Sequence, residues 1–125
     1  MLFRSDWSAS SSLKQPKNHL KITPWVKFNS KILIKTQKLS TFCFKHNIKN
    51  IDFIWMDVQG AELDVIDGME DFKKNIHYIY TEYSNDELYE NQPKENQIIE
   101  ALGKNWEIIY NFGQDILIKN NKYKI

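Results

Sequence analysis

Apolar positions along the chain fall into segments of different spacing, and the spacing assigns the elements. Ile51, Phe53, Ile54, Trp55 and Met56 form a nearly continuous apolar run, too short for a membrane helix and made of the bulky residues that fill a strand buried on both faces. Asp57 ends that run. Beyond Gly60, where the chain can turn sharply, Ala61, Val65, Ile66, Met69 and Phe72 recur at i, i+4, i+5, i+8 and i+11 and line one side of a helix. A second apolar run, residues 76–84, meets a carboxylate at Glu82 in the same manner, so two successive strands bring acids to one edge of a sheet. Upstream, ILIKT within residues 26–36 carries a strand signal, and Leu39, Phe42 and Cys43 stand at helical spacing in a segment that stops near residues 47–50.

Downstream, Pro93 suits the first position of a helix with Ile98, Ile99 and Leu102 as its buried stripe and Gly103 as its stop. WEIIYNF and DILIK, separated by Gly113 and Gln114, read as an antiparallel hairpin. Residues 5–24, with Ser8, Ser10, Ser11, Ser12, Pro16 and Pro24, make residues 1–24 a loop-rich lead-in. The order strand, helix, strand, helix, strand, helix, hairpin predicts an α/β fold, a mostly parallel sheet with flanking helices and a C-terminal antiparallel hairpin. Trp55, Tyr78, Tyr80 and Trp106 are expected in its core, because large aromatics dominate burial in a small domain.

Composition narrows the function classes. A chain of 125 residues, 42% of them hydrophobic, builds one core and a single domain spanning residues 1–125. Seventeen basic against sixteen acidic residues leave a net charge of +1 with the lysines dispersed, which argues against a nucleic-acid partner. No apolar run approaches the roughly 20 residues that cross a bilayer, so no membrane partner and a cytoplasmic location are expected. The single cysteine, Cys43, excludes an internal disulfide and a multi-cysteine zinc site, and between Phe42 and Phe44 it reads as a buried thiol. His19, His46 and His77 lack metal-ligand spacing, and no metal is expected.

The candidate chemistry is carried by carboxylates. Asp57 before Gly60 either shapes the turn and caps the next helix or stands at an active-site edge. Glu62, in the first helical turn, is favourable there against the helix dipole whatever else it does. Glu82, leaving an apolar strand, needs a partner or solvent access for structural or functional reasons.

The run IDFIWMDVQGAELDVIDG, with IYTEYS downstream and SSSLKQPKNH upstream, resembles the C-terminal half of the FkbM-type methyltransferases. These are S-adenosylmethionine-dependent enzymes of the Rossmann-like class that methylate hydroxyl groups. The resemblance covers residues 10–119, and its specific part is the D-V-x-G-A-E turn, with Gln59 standing where Glu is more usual. It implies a partial Rossmann-like fold, Asp57 and Glu82 as catalytic candidates, and Asp57 and Gln59 beside the cofactor S-adenosylmethionine. It also implies Glu62 and His19 as substrate-side candidates, the latter in a family loop matched by Ser10, Ser11, Ser12 and Pro16. The acceptor would be a small-molecule or glycan hydroxyl.

The chain departs from that family in its glycines. Only Gly60, Gly68, Gly103 and Gly113 are present, no two closer than eight residues, so neither a G-x-G turn nor the cofactor-binding half around it is found. The expectation is a truncated O-methyltransferase that holds S-adenosylmethionine weakly by itself, with a dissociation constant on the order of millimolar, about 4 kcal/mol. Activity would require complementation by a cofactor-binding half. The strand at residues 51–56 is expected to become an edge, with only Asp52 as an inward charge, open to that half or to self-association. The alternatives are a non-catalytic α/β interaction module and an inactive remnant.

Overall fold

Both bulky apolar runs form strands and pair side by side, as their β-branched and aromatic content favours. In the computed structural model, which describes residues 1–123, the elements in chain order are β1 (Leu2–Ser5), α1 (His19–Ile22), β2 (Phe28–Ile32), α2 (Leu39–Lys45), β3 (Ile51–Met56), α3 (Glu62–Asp67), β4 (Ile76–Glu82), α4 (Glu95–Leu102), β5 (Trp106–Asn111) and β6 (Asp115–Asn120). β1 and β2 form a two-stranded antiparallel sheet, and the main sheet has the order β3-β4-β6-β5.

That order corrects the mostly parallel sheet. β3 and β4 pair in parallel, whereas β6 pairs antiparallel with both β4 and β5. β6, the second strand of the C-terminal hairpin, inserts between β4 and β5, and one reversed strand in an interior position makes two antiparallel interfaces. The fold is mixed α/β. Among the described residues β3 has β4 on one side and no strand on the other, so it is an edge.

The apolar stripe after Gly60 also divides. α3 ends at Asp67, and a 3₁₀ segment, Glu70–Asn75, carries the chain to β4. A Cβ placed on Gly68, at the break, would lie 3.5 Å from the Cα of Lys38, which leads into α2. Pro93 stands two residues before the first helical residue of α4, whose Lys94 N–H donates to the Gln97 side chain at 2.9 Å. The ILIKT signal yields strand only as far as Ile32. The lead-in is less loop-like than read, holding β1, a 3₁₀ turn at Ser8–Ser10 and the single turn α1.

One face of the main sheet is covered. Met56, Ile79, Ile116 and Ile118 project into a cluster with Ile66, Met69, Ile98 and Leu102, each of which contributes roughly 1.5–3 kcal/mol by leaving water. Trp106 joins this cluster and Cys43 is buried as a free thiol, as expected. The other face corrects the core assignment of Trp55, Tyr78 and Tyr80. Trp55 is 74% exposed, and Tyr78 and Tyr80 are only half buried, because the three helices packed on this sheet contribute to the opposite face. No helix among the described residues is long and apolar enough to cross a membrane.

Candidate active site

The turn that follows β3 is forced into an unusual backbone path. Gln59 has φ +48° and Gly60 φ +96°, in the left-handed region where a side chain costs energy. Gly60 also lies against Tyr89, whose Cβ would be 2.8 Å from a Cβ placed on it, so only glycine fits without displacement. The turn is held from two sides. From below, Glu62 folds back so that its Oε1 accepts the Gly60 N–H at 3.1 Å. From the lead-in, Ser12 Oγ donates to the Gln59 carbonyl at 2.5 Å, and the Tyr89 hydroxyl donates to the Ser10 carbonyl at 2.8 Å.

This clamp aims Gln59 at both strand-end acids. Its Nε2 donates to Asp57 Oδ1 at 2.6 Å and reaches Glu82 Oε2 at 3.5 Å, so the parallel pairing of β3 and β4 brings the two carboxylates to one place. Asp57 is exposed and Glu82 half buried. Burial raises the pKa of Glu82, and the negative charges of Asp57, Asp115 and Glu62 push it further in the same direction. Burial likewise pushes the Tyr89 phenol up to about 12, so it stays a hydrogen-bond donor. Beside Gln59 and Glu82 opens a cleft of about 190 Å³ whose polar lining includes Asn85, Asp86, Gln92 and Gln114.

The two remaining candidates are placed elsewhere. Glu62 is 1% exposed, its Oε2 is buried without a hydrogen-bond partner, and burial raises its pKa, so it braces the turn and presents nothing to the cleft. A first-turn glutamate reaches back to the N–H groups that precede its helix, which is the physical reason for this placement. His19 is buried, its Nδ1 2.8 Å from Thr23 Oγ1 and its ring packed on Phe28 and Tyr89; burial lowers its pKa. It supports Tyr89 and does not line the cleft. Sequence reasoning passed over Ser12 as one of several loop serines and missed Tyr89, which sits in a polar segment. Tyr89 stands out there only as a large aromatic in the segment 85–91. No cluster of three or more His, Cys, Asp or Glu suited to a metal ion occurs among the described residues.

A parallel β-α-β unit that gathers polar side chains beyond the carboxyl ends of its strands is the arrangement of the α/β enzymes. Comparison with known proteins narrows this class. The family model "Methyltransferase FkbM domain" matches residues 3–115, and the chain belongs to that family. It is also 41% identical over 121 residues to the 2-O-methyltransferase NoeI of Sinorhizobium fredii (strain NBRC 101917 / NGR234), a match covering 94% of this chain and 49% of that protein. The chain thus spans about half the length of this relative. No solved structure matches.

Proposed function

We propose that this chain is the acceptor side of an S-adenosylmethionine-dependent O-methyltransferase with a partial Rossmann-like fold, and that it works together with a cofactor-binding half. The observation that carries this reading is Gln59 reaching both Asp57 and Glu82 at the ends of a parallel strand pair, in a chain 41% identical to a 2-O-methyltransferase. The residues present suit one flank of the cofactor: Asp57 offers an exposed carboxylate and Gln59 an amide to its polar groups. When bound, the cofactor supplies an electrophilic methyl group.

The chain's own residues do the rest. The acceptor hydroxyl lies in the cleft beside Glu82, where the amides of Gln59, Asn85, Gln92 and Gln114 pair with neighbouring hydroxyls. Glu82 would take the proton of the acceptor hydroxyl as that oxygen gains the methyl group and the carbon–sulfur bond breaks with its electron pair leaving on sulfur, and its raised pKa makes it a stronger base than an ordinary carboxylate. Gln59 holds Glu82 in place, and Asp57 and Gln59 orient the acceptor. Among the described residues the cleft lining holds acidic groups and amides and no lysine, arginine or histidine, which suits a neutral, hydroxyl-rich acceptor such as a glycan. The test supplies S-adenosylmethionine and the half of the Sinorhizobium relative outside the match, and compares a neutral oligosaccharide with a uronic acid and an amino sugar. Methyl ether formation on the neutral saccharide is expected. Transfer only to a carboxylate or an amine would contradict the reading.

A further inference from the structure

The lead-in ahead of β2 grips the acceptor cleft without lining it. Two walls bound that cleft: the turn that carries Gln59, and the segment 84–92 that carries Asn85, Asp86 and Gln92. Each wall holds a non-glycine residue in the left-handed region, Gln59 at φ +48° and Glu87 at φ +44°, a conformation that persists only where surrounding contacts enforce it. Residues 12–19 supply such contacts on both sides. Ser12 is 1% exposed, and the Oγ that donates to the Gln59 carbonyl also accepts the Lys14 N–H at 2.9 Å. On the other wall, the Leu88 carbonyl accepts the N–H groups of Lys17 at 2.9 Å and His19 at 3.1 Å, and the Glu90 N–H donates to the Gln15 carbonyl at 2.8 Å. Asn18 Nδ2 donates to the Asp86 carbonyl at 2.8 Å, and the Lys17 ammonium meets Glu87 Oε2 at 2.6 Å.

This segment is itself anchored away from the cleft. Its backbone pairs with β1 through Phe3 and Ser12, whose N–H groups and carbonyls exchange bonds of 2.7 and 3.0 Å, and Lys14 pairs with Asp64 of α3 at 2.6 Å. Among the described residues that line the cleft, none belongs to 12–19. We propose that residues 12–19 form a positioning strap for the acceptor, in which Ser12 sets the Gln59 wall, Asn18 sets the opposite wall through Asp86, and the two together fix the gap the acceptor enters. The role in methylation rests on the methyltransferase reading; the bracing of the two walls rests on the geometry. Ser12 and Asn18 are positioning residues, since each acts through another side chain or backbone group. Their effects divide by what each wall carries. Gln59 reaches Glu82, so loosening its wall acts on the reacting step, whereas the segment 84–92 carries amides for the acceptor's hydroxyls, so loosening it acts on binding.

The test makes Ser12→Ala and Asn18→Ala and reads each in two ways. In the 125-residue chain by itself, nuclear magnetic resonance follows the Gln59 side-chain amide as the two acids it reaches titrate, and the hydrogen exchange of the Lys17 and His19 amides. Ser12→Ala should remove about half or more of the Gln59 amide's pH-dependent shift and leave Lys17 and His19 protected, whereas Asn18→Ala should speed exchange at those two amides about tenfold and leave the Gln59 shift intact. In the complemented enzyme, Ser12→Ala should lower kcat about tenfold at little-changed acceptor KM, and Asn18→Ala should raise that KM about threefold to tenfold at little-changed kcat. The Asn18 bond is exposed, so its loss leaves the core intact and keeps the test decisive if the buried Ser12 proves intolerant. Variants that melt earlier while the Gln59 shift and the exchange pattern stay as in the intact chain would overturn the proposal, since the segment would then serve stability alone. So would a Ser12→Ala enzyme changed only in acceptor KM. Absence of methyl transfer by the intact complemented chain counts against the proposed function, and the resonance measurements then decide the strap by themselves.

Discussion

Ile79 and Tyr80 are successive residues of β4, each paired across the strand with a large apolar neighbour, Ile54 and Trp55. Ile79 is fully buried in the cluster that contains Ile66 and Ile98, while Tyr80 lies on the face that leaves Trp55 and Phe112 in water. The residue types differ little between the two faces; the cover differs. Apolar content reports what a strand is suited to bury, and topology decides which of its faces the same chain covers.

The sharpest way to break this comparison is to truncate one side chain on each face. Ile79→Ala should destabilise the chain by about 3–4 kcal/mol through lost burial and the cavity left behind, whereas Tyr110→Ser should change it by no more than about 0.5 kcal/mol. Urea unfolding measures both. Similar costs would show that the aromatic face is buried in solution.

A smaller effect separates the turn at the site from one at the surface. Gly60 and Gly103 share a positive φ, but a Cβ on Gly60 meets Tyr89, whereas one on Gly103 meets nothing within 4 Å. Gly60→Ala should therefore cost about 2–3 kcal/mol and Gly103→Ala about 1 kcal/mol. Equal losses in thermal melts would mean that Tyr89 yields and that the clamp on the turn is loose.

The smallest expected effect is a pH dependence. Burial raises the pKa of Glu62, with the charges of Asp57 and Asp64 adding to it, so the folded chain holds this proton more tightly than the unfolded chain. The stability this contributes is present in full below the ordinary glutamate pKa and is lost as pH rises through the higher folded value. Glu62→Gln should flatten the decline between acidic and neutral pH, as followed by unfolding midpoints across that range. An unchanged slope would place the charge cost elsewhere.

Much of this was legible in the chain. The strand at Ile51–Met56, the turn at Gly60, the meeting of Asp57 with Glu82 and the hairpin at the C-terminus follow from runs of apolar residues and the carboxylates that end them. What escaped depended on contacts distant in sequence. Nothing local shows that β6 inserts beside β4, that Ser12 reaches Gln59 across 47 positions, or that Tyr89 packs under Gly60. The reading of Trp55 as a core residue of a strand buried on both faces fails, since periodicity carries no information on which helices the chain supplies. The resemblance implied a substrate-side place for Glu62, and neither its burial nor its hydrogen bond to the Gly60 N–H is visible in the sequence.

The central claim is that Glu82 serves as the base at an O-methyltransferase acceptor site, and the most direct measurement is methyl transfer by the complemented chain with Glu82 intact and as Glu82→Gln. The rate of the intact chain should rise with pH through a value above the ordinary glutamate range, the direction in which burial and Asp57 move Glu82. Glu82→Gln should lower kcat by about 10²–10⁴-fold and remove that rise, with the complex still formed. A Glu82→Gln complex that methylates its acceptor at the full rate would contradict the assignment.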